Sequence, residues 1–204
     1  MSDRIALNLR TDLAHPFLLG SADVLRRLPE KIRAEPTATH YRDMVARLEK
    51  HLDDPVPDYP GDSASQHDRY YDIVHLCPPL AMDAAVAWWC DGDDRWLTMA
   101  SRIADAFARW QHWRAPKNLP LPADLSSATL GLQMAVVYDL LYDRLAPTTR
   151  EAIAAAILRH VVHHIQPQRI DRCWWSWAYD GNWSWVVLGG SGAAALAVLP
   201  EHGD

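Results

Sequence analysis

Apolar positions in the second part of the chain define two alternating kinds of helical segment. Three segments are apolar on almost every side, which is typical of a helix that is buried all round, and they cover residues 79–90, 127–141 and 184–199. Two other segments, residues 95–113 and 148–165, carry one apolar stripe with polar residues opposite it. Each of these follows an apolar segment after a short turn. The pattern predicts buried inner helices covered by amphipathic outer helices.

The pairing of an inner with an outer segment recurs after about fifty residues, a period typical of arrays of helical hairpins. No segment shows the alternation that predicts a β-strand. We therefore predict an all-α fold, an incomplete (α/α) toroid built from helical hairpins whose inner helices face a central axis. The third hairpin has only its inner helix, so one face of residues 184–199 is expected to lack its cover. This favours an N-terminal part of a larger protein, and an oligomer is the alternative source of cover.

Residues 1–60 are predicted to form an N-terminal helical region, and residues 61–204 to form the toroid hairpins. Ser21 is expected to cap a first helix. A second helix is expected from about residue 39. The apolar residues that these two helices would bury are Leu25, Leu28, Ile32, Tyr41, Val45, Leu48 and Leu52. Residues 53–69 hold three prolines and few apolar residues, which predicts a long loop, and such loops are often functional.

The composition of the chain argues against several classes of site. Apolar residues make up 49% of the chain and charged residues 23%, which is ordinary for a globular domain. The formal net charge of −6 argues against a nucleic-acid-binding surface, because phosphate contacts require clustered Lys and Arg. The three cysteines, Cys77, Cys90 and Cys173, form no CxxC pair, so neither a zinc site nor a disulfide framework is predicted.

The N-terminus and the most apolar segment bear on location. The opening MSDRIALNLR lacks the apolar core of a signal peptide, and the localisation stays open. Residues 185–199 are short for a membrane span and contain three glycines, so we predict a buried helix and no membrane partner. The residue pattern indicates no cofactor.

Aromatic residues are concentrated in CWWSWAYDGNWSW, residues 173–185, which holds five of the ten tryptophans around Asn182. Such rings either close a core or stack on sugar rings at a cleft. We predict that two or three of them lie in the core and that Trp177 or Trp183 lies at the mouth of a cleft, joined by Tyr179. For Asn182, the alternative to a cleft position is a helix-cap or loop amide.

Residues before the inner helices are further site candidates, because the starts of these helices converge at one end of an α/α array. Before the first inner helix these are His67, Tyr70, Tyr71 and His75. Before the second they are Asn118 and Asp124. For each of them an ordinary loop role is the alternative. The cations of the connecting segments that would offset an acidic ligand are Arg114, Lys117, Arg169 and Arg172.

The sequence HVVHH places His160, His163 and His164 at helical spacing, which invites a metal interpretation. No HExxH motif and no acidic ligand accompany them. The segment ends an outer helix, where histidines interact favourably with the helix C-terminus. We predict that no metal binds there.

Four stretches, taken in order, carry a resemblance to a known family. They are HPFLLGSADVLRRL, PPLAMDAAVAWWCDGDDRWLTMASRIADAFARW, LGLQMAVVYDLLYDRLAPTTREAIAAAIL and DGNWSWVVLGGSGAAALAVL, and together they span residues 15–204. The first resembles the HPRLLF-type opening of heparinase II/III-like proteins and related alginate lyases. The second resembles their first toroid hairpin with its G-D-x-x-Y/W turn, the third their A-Y-D-W-L-Y…L-S-P-E-E-R hairpin, and the fourth their N-N-W/H-x-x-V-x-x-G-G segment.

Members of that family have an (α/α) toroid followed by a β-sandwich domain, and they cleave uronic-acid polysaccharides by β-elimination. The resemblance implies a lyase-type domain whose partner is an acidic polysaccharide or oligosaccharide. It also implies that a full-length protein would carry the remainder of the toroid and a β-sandwich domain.

Elimination beside a uronate requires that the carboxylate charge be offset, that a base take the α-proton and that an acid protonate the departing oxygen. In the resembling lyases an Asn neutralises the carboxylate, and Asn182 matches it. The chain departs from the family at Gly181, where a second Asn is usual, and at Trp183, where a His is frequent. The Tyr and His that supply base and acid have no counterpart here, so this chain alone is expected to be inactive. The predicted substrate-binding residues are His67, Tyr70, Tyr71, Trp177, Tyr179 and Trp183.

Two other functions stay open. A glycoside hydrolase on a related α/α barrel would need two carboxylates across the scissile bond, for which Asp124 and Asp180 are available. A non-catalytic helical-repeat module would only bind carbohydrate. The products distinguish the enzymes, because elimination leaves a conjugated double bond that absorbs in the ultraviolet.

Overall fold

The computed structural model describes residues 12–171, 173–178 and 180–202, and none of these residues forms a strand. The prediction of an all-α fold is confirmed. In the described residues the helices are α1 (Ala22–Leu25), α2 (Leu28–Lys31), α3 (Thr37–Lys50), α4 (His67–Asp91), α5 (Asp94–Ala108), α6 (Leu125–Leu141), α7 (Pro147–His160), α8 (Pro167–Ile170) and α9 (Asn182–His202).

Helices α4, α6 and α9 form one layer with α6 in the middle, and α5 and α7 form a second layer against them. The helices of the first layer run parallel. Trp89 near the end of α4 donates from Nε1 to the carbonyl oxygen of Leu140 near the end of α6, at 2.9 Å. Early residues of α6 and α9 also pair, because Gly190 lies on the backbone of Ala128. The starts of all three inner helices therefore lie at one end of the layer.

Small residues set the distance between α6 and α9. A Cβ atom at Gly190 would lie 2.6 Å from the carbonyl oxygen of Ala128, a separation that real Cβ atoms do not show. On the facing helix, a Cβ atom at Gly131 would lie 2.9 Å from a methyl group of Val161 and 3.4 Å from Ala194. The glycines of the GGSG segment are thus used unequally, since Gly189 has open space beside it.

The first hairpin turns as its sequence predicts. Gly92 ends α4 in the left-handed region, with φ of 73°, where a residue without Cβ is favoured. Asp93 then caps α5 by accepting a hydrogen bond from the backbone N–H of Arg95. The predicted stripe of α5 is buried, namely Trp96, Met99, Ile103 and Phe107. Trp110 is buried as well, although it lies beyond the end of the helix.

The first inner helix is longer than predicted, because it begins at His67 and not at residue 79. Pro78 and Pro79 lie inside it. A proline normally interrupts a helix, but here a buried stripe continues on both sides of the pair. The residues of this stripe are Tyr70, Ile73, Val74, Cys77, Leu80, Ala81 and Ala84. Burial thus outweighed the helix-breaking tendency of the two prolines. The last three residues of the predicted loop, 67–69, belong to this helix.

Other boundaries shift by a few residues. Helix α9 begins at Asn182, so Ser184 is not its cap, and the Ser184 hydroxyl donates instead to the carbonyl oxygen of Trp175. Ser21 precedes α1, but its side chain makes no capping bond. The helix predicted to run through Ile32 is two short helices, the second of which carries a proline in its first turn.

The N-terminal region shares the core of the hairpins. Leu25 and Leu48 lie in the same buried cluster as the residues of α4, α5 and α6. The segment before α1 is held by the buried carboxylate of Asp139, which accepts hydrogen bonds from the backbone N–H groups of Phe17 and Leu18 at 3.0 and 2.8 Å. The described part of this region, residues 12–60, is therefore packed directly on the hairpin layers.

One face of α9 carries exposed apolar residues. Trp185, Leu188 and Leu196 are 68%, 41% and 40% exposed. By length and composition alone, the stretches Ala64–Asp91 and Asn182–His202 would be long enough to cross a membrane. This is weak support for a membrane span, because core helices share these properties and α4 is a core helix here.

Candidate functional site

A groove lies between the first halves of α4 and α6. Its volume is about 270 Å3, near the lower limit of small-molecule sites, about 300 Å3. The residues that line it are Tyr71, Val74 and His75 from α4, and Leu125, Ser126, Thr129, Leu130 and Gln133 from α6. None of these lining residues is a carboxylate, a Lys or an Arg. The groove therefore suits an uncharged part of a ligand.

Three rings follow one another along the groove side of α4. His67, Tyr71 and His75 are spaced by four residues, which places them on one face of a helix. The ring centroids of His67 and Tyr71 are 4.8 Å apart, and those of Tyr71 and His75 are 5.2 Å apart. The Nδ1 atom of His67 is buried and has no hydrogen-bond partner in the described part of the chain. The predictions for His67 and Tyr71 thus fall beside one cavity.

Gln133 is one of three polar residues of the groove that the sequence prediction missed, with Ser126 and Thr129. Its side chain is 9% exposed, and its buried Oε1 atom has no hydrogen-bond partner among the described residues. An unpaired buried acceptor costs about 1–3 kcal/mol, so native proteins seldom leave one without a reason. The signal that would have found it is its position, since it is the lone amide within the apolar run LGLQMAVV.

The tryptophan stretch lies next to the groove. Leu125, which lines the groove, also packs against a small apolar cluster that contains Trp175 and Trp183. Trp175 is fully buried, whereas Trp174 and Trp177 are 49% and 63% exposed. The rings of Trp174 and Trp183 are 5.2 Å apart. The prediction that two or three of the five rings lie in the core is therefore wrong, because Trp175 is the one buried ring. Trp177 is exposed and Trp183 is partly buried.

Asn182 is the first residue of α9 and is exposed. Its amide makes no hydrogen bond within residues 12–171, 173–178 and 180–202. The alternative of a capping amide does not apply, because Asn182 lies inside the helix and not before it. A neighbour of Trp183, it lies at the same end of the layer as the groove.

Several predicted residues belong to the interior and not to the groove. Tyr70 is fully buried and donates from its hydroxyl to the carbonyl oxygen of Trp113 at 2.6 Å. Burial also raises the pKa of Tyr70 well above its usual range, so its hydroxyl keeps its proton. Tyr70 lies within α4 and not before this helix. Adjacent residues of a helix point about 100° apart, so Tyr71 faces the groove and Tyr70 does not. We correct the prediction for Tyr70 to a core role.

Asp124 caps α6 and has a structural role. It is fully buried and accepts hydrogen bonds from the backbone N–H groups of Ser127 at 2.8 Å and Ala115 at 2.9 Å. Asn118 donates to the same carboxylate at 3.0 Å. A carboxylate with both oxygens engaged in the interior is a poor general acid or nucleophile. This removes the pair Asp124 and Asp180 as the basis of a hydrolase.

The predicted cations differ in how available their side chains are to an acidic ligand. Arg114 is half-buried and donates to the carbonyl oxygens of Leu119, at 2.6 Å, and Leu121, so it ties a loop together. Burial lowers the pKa of Arg114. Lys117 and Arg169 are exposed. Arg172 lies outside the described residues, and so does the predicted binding residue Tyr179.

The HVVHH histidines do not form a metal site in the described residues, where no group of three such ligands occurs. The Nε2 atom of His160 lies 3.1 Å from the carbonyl oxygen of Trp110, and its ring stacks on Trp113. Burial lowers the pKa of His160 to about 3. His160 is therefore neutral at physiological pH, and the predicted interaction of a charged ring with the helix end is wrong for it.

A second cleft, of about 350 Å3, lies at the other end of the layer between His15, Trp88, Asp139 and Arg144. Its central groups are already paired, since Asp139 accepts from His15 and from two backbone N–H groups. The ring of His15 is stacked on Tyr142 at 4.2 Å. The polar groups at this end of the layer hold elements of the fold together. The groove between α4 and α6 is therefore the better candidate for a ligand.

Comparison of the chain with known protein families and with curated proteins finds no match. The function is therefore argued from the groove and its surroundings.

Proposed function

We propose that this chain is a polysaccharide-lyase-type domain that binds a uronic-acid-containing polysaccharide, which the complete toroid would cleave by β-elimination. The observation that carries the proposal is the convergence of three features at one end of the inner layer. They are the unpaired amide of Asn182, the exposed indole of Trp177, and the ring-lined groove.

The chemistry of these groups suits a sugar acid. Flat aromatic faces pack on the C–H-rich faces of sugar rings, and the polar edges of the rings and amides take the hydroxyl groups. Tyr71 and Trp177 provide such faces. The uncharged groove would hold the body of the sugar, and Asn182 would take the carboxylate.

Asn182 has a specific role in the proposed elimination. Hydrogen bonds from its amide N–H groups would withdraw charge from the uronate carboxylate and so make the α-proton easier to remove. The resembling lyases use a Tyr and a His for the proton transfers, and the resemblance carries neither onto a residue of this chain. The proposed contribution of this chain is therefore binding and charge neutralisation.

The geometry supports the two alternative functions, a hydrolase and a binding module, to different degrees. A hydrolase loses support because Asp124 is an internal cap. A non-catalytic carbohydrate-binding module is supported by the same groove and indoles, and it differs from the lyase only in the fate of the bound sugar.

The test is a titration of tryptophan fluorescence with alginate and heparan-type oligosaccharides. Wild type is compared with Asn182→Ala and with Leu196→Ala, an exposed substitution farther along the same helix. We expect saturable binding that falls about 10- to 100-fold in Asn182→Ala, because a hydrogen bond to a charged group contributes about 1.5–3 kcal/mol. Leu196→Ala should bind as wild type does.

A wild-type chain that is helical by circular dichroism and responds to no uronate would contradict the proposal. Equal binding by wild type and Asn182→Ala would contradict the role of Asn182. With bound sugar, appearance of an ultraviolet-absorbing unsaturated product would identify a lyase. Binding without product is the expected result for this chain, because the resemblance carries neither the Tyr nor the His of the proton transfers onto it.

A further inference from the structure

The Gln133 carboxamide is oriented towards the groove without a partner from the protein. It lies on α6, it is nine-tenths buried, and its Oε1 atom is unpaired in the described part of the chain. A carboxamide offers an acceptor and a donor side by side. A buried amide oxygen that neither bulk water nor the described residues satisfy indicates that another molecule completes its hydrogen bonds.

The surroundings define which chemistry fits. The residues that line the groove together with Gln133 include Thr129 and Leu130, one turn earlier on the same helix, and Tyr71 from α4. No side chain that lines the groove carries a carboxylate, a guanidinium or an ammonium group. A charged ligand group would lose its hydration here without gaining a counter-ion, so the occupant of this position is uncharged.

We propose that Gln133 is a ring-hydroxyl subsite that binds two neighbouring hydroxyl groups of a sugar residue. One hydroxyl donates to Oε1 and the other accepts from Nε2, while the sugar face packs on Tyr71. The proposal rests on the proposed function for the class of ligand, but it assigns a different contact. Asn182 binds the carboxylate, and Gln133 binds the pair of hydroxyl groups.

The assignment predicts an unusual separation of binding from stability. A Gln that holds the fold together loses stability when its amide is removed. The Oε1 atom of Gln133 has no partner to lose in the described part of the chain, so Gln133→Met, which keeps the length and removes the polar atoms, relieves an unpaired buried group. Its melting temperature is expected to equal or exceed that of wild type, while sugar binding falls.

The experiment uses two matched probes on the full chain. One is an alginate tetrasaccharide, and the other is the same tetrasaccharide with its carboxylates reduced to alcohols, which keeps every ring hydroxyl. Binding of each probe by wild type, Gln133→Met and Asn182→Ala is measured by tryptophan fluorescence and calorimetry, with melting temperatures recorded for all three proteins.

We expect Gln133→Met to weaken both probes by the same factor, about tenfold for two neutral hydrogen bonds. Asn182→Ala should weaken only the carboxylated probe. Unchanged binding of both probes by Gln133→Met overturns the subsite and leaves the proposed function standing, as does a loss confined to the carboxylated probe. A lower melting temperature for Gln133→Met overturns it as well, since the amide is then structural.

If the wild-type chain binds neither probe, both the subsite and the proposed function fail. If it binds both probes equally and Asn182→Ala changes neither, the proposed reading of the carboxylate fails and the subsite stands.

Discussion

His15 donates from Nδ1 to a carboxylate oxygen of Asp139 at 2.7 Å, and this pair joins the start of the described chain to the middle inner helix. The His15 ring is stacked on Tyr142, and its Nε2 atom lies 3.4 Å from the carboxylate of Glu201 near the end of α9. One histidine thus joins its own N-terminal segment to the end of α6 and to the end of α9. Two of the four stretches that carry the family resemblance, the HPFLL opening and the VVYDLLY segment, meet in this pair. Their contact is a structural reason for the presence of His15 and Asp139 in these stretches.

Removing the carboxylate should therefore unfasten the N-terminal segment. Asp139→Ala leaves His15 and the backbone N–H groups of Phe17 and Leu18 without their acceptor in the interior. We expect a loss of about 3 kcal/mol in the free energy of unfolding, measured by urea denaturation. Asp143→Ala, an exposed neighbour, is the control and should change it little. A loss below about 0.5 kcal/mol in Asp139→Ala would mean that the segment is not held by this carboxylate.

Two adjacent glycines on α9 should respond in opposite directions. Gly190→Ala forces a Cβ atom against the carbonyl oxygen of Ala128, whereas Gly189→Ala meets open space. Overpacking costs about 1–3 kcal/mol, and relief of glycine flexibility within a helix contributes about 0.5–1 kcal/mol. Thermal unfolding should show Gly190→Ala below wild type and Gly189→Ala above it. Equal shifts would show that α6 and α9 are not packed at this distance.

The free energy of unfolding should fall as the pH falls from neutral, through His160. Its folded pKa is lowered to about 3 by burial, against about 6.5 when unfolded. Below pH 6.5 the unfolded chain therefore binds a proton that the folded chain does not, so the stability present above this pH is lost progressively as acid is added. Burial lowers the pKa of His164 to about 4, which adds a loss of the same sign.

Denaturation between pH 7 and pH 4 measures this effect. The loss for His160 is expected to be roughly 3 kcal/mol. His160→Gln should flatten the pH dependence, whereas His163→Gln, an exposed histidine of the same segment, should retain it. An unchanged slope in His160→Gln would locate the acid sensitivity elsewhere.

The tryptophans should divide into two classes by substitution. Trp175→Ala removes a fully buried ring and is expected to cost about 3–5 kcal/mol. Trp177→Ala removes a ring that is 63% exposed, so the free energy of unfolding should change by less than about 0.5 kcal/mol. Under the proposed function, the same Trp177→Ala variant should lose affinity for uronate oligosaccharides. Unfolding and fluorescence titration of the two variants together separate core from surface, and full binding by Trp177→Ala would remove this ring from the site.

Part of the candidate site was accessible to sequence reasoning. Trp177 was predicted from the concentration of tryptophans and Asn182 from the family resemblance, and Asn182 begins α9. His67 and Tyr71 were predicted from their position near the first inner helix. Tyr71 lines the groove, and the His67 ring packs beside it. Tyr70 was named for the same reason and is buried, because position along the chain does not specify which side of a helix a residue faces. Gln133 was missed, because a single amide in an apolar run has no local pattern.

The sequence by itself determined the helical class, the alternation of inner and outer segments and the order of the hairpins. These features depend on residues three and four positions apart, which a linear pattern contains. Only the tertiary structure decided that α4 runs through two prolines, that Asp124 and Asp139 are internal acceptors, and that the buried Oε1 atom of Gln133 has no hydrogen-bond partner among the described residues. Each of these depends on which element packs opposite the residue, and that element comes from a distant part of the chain.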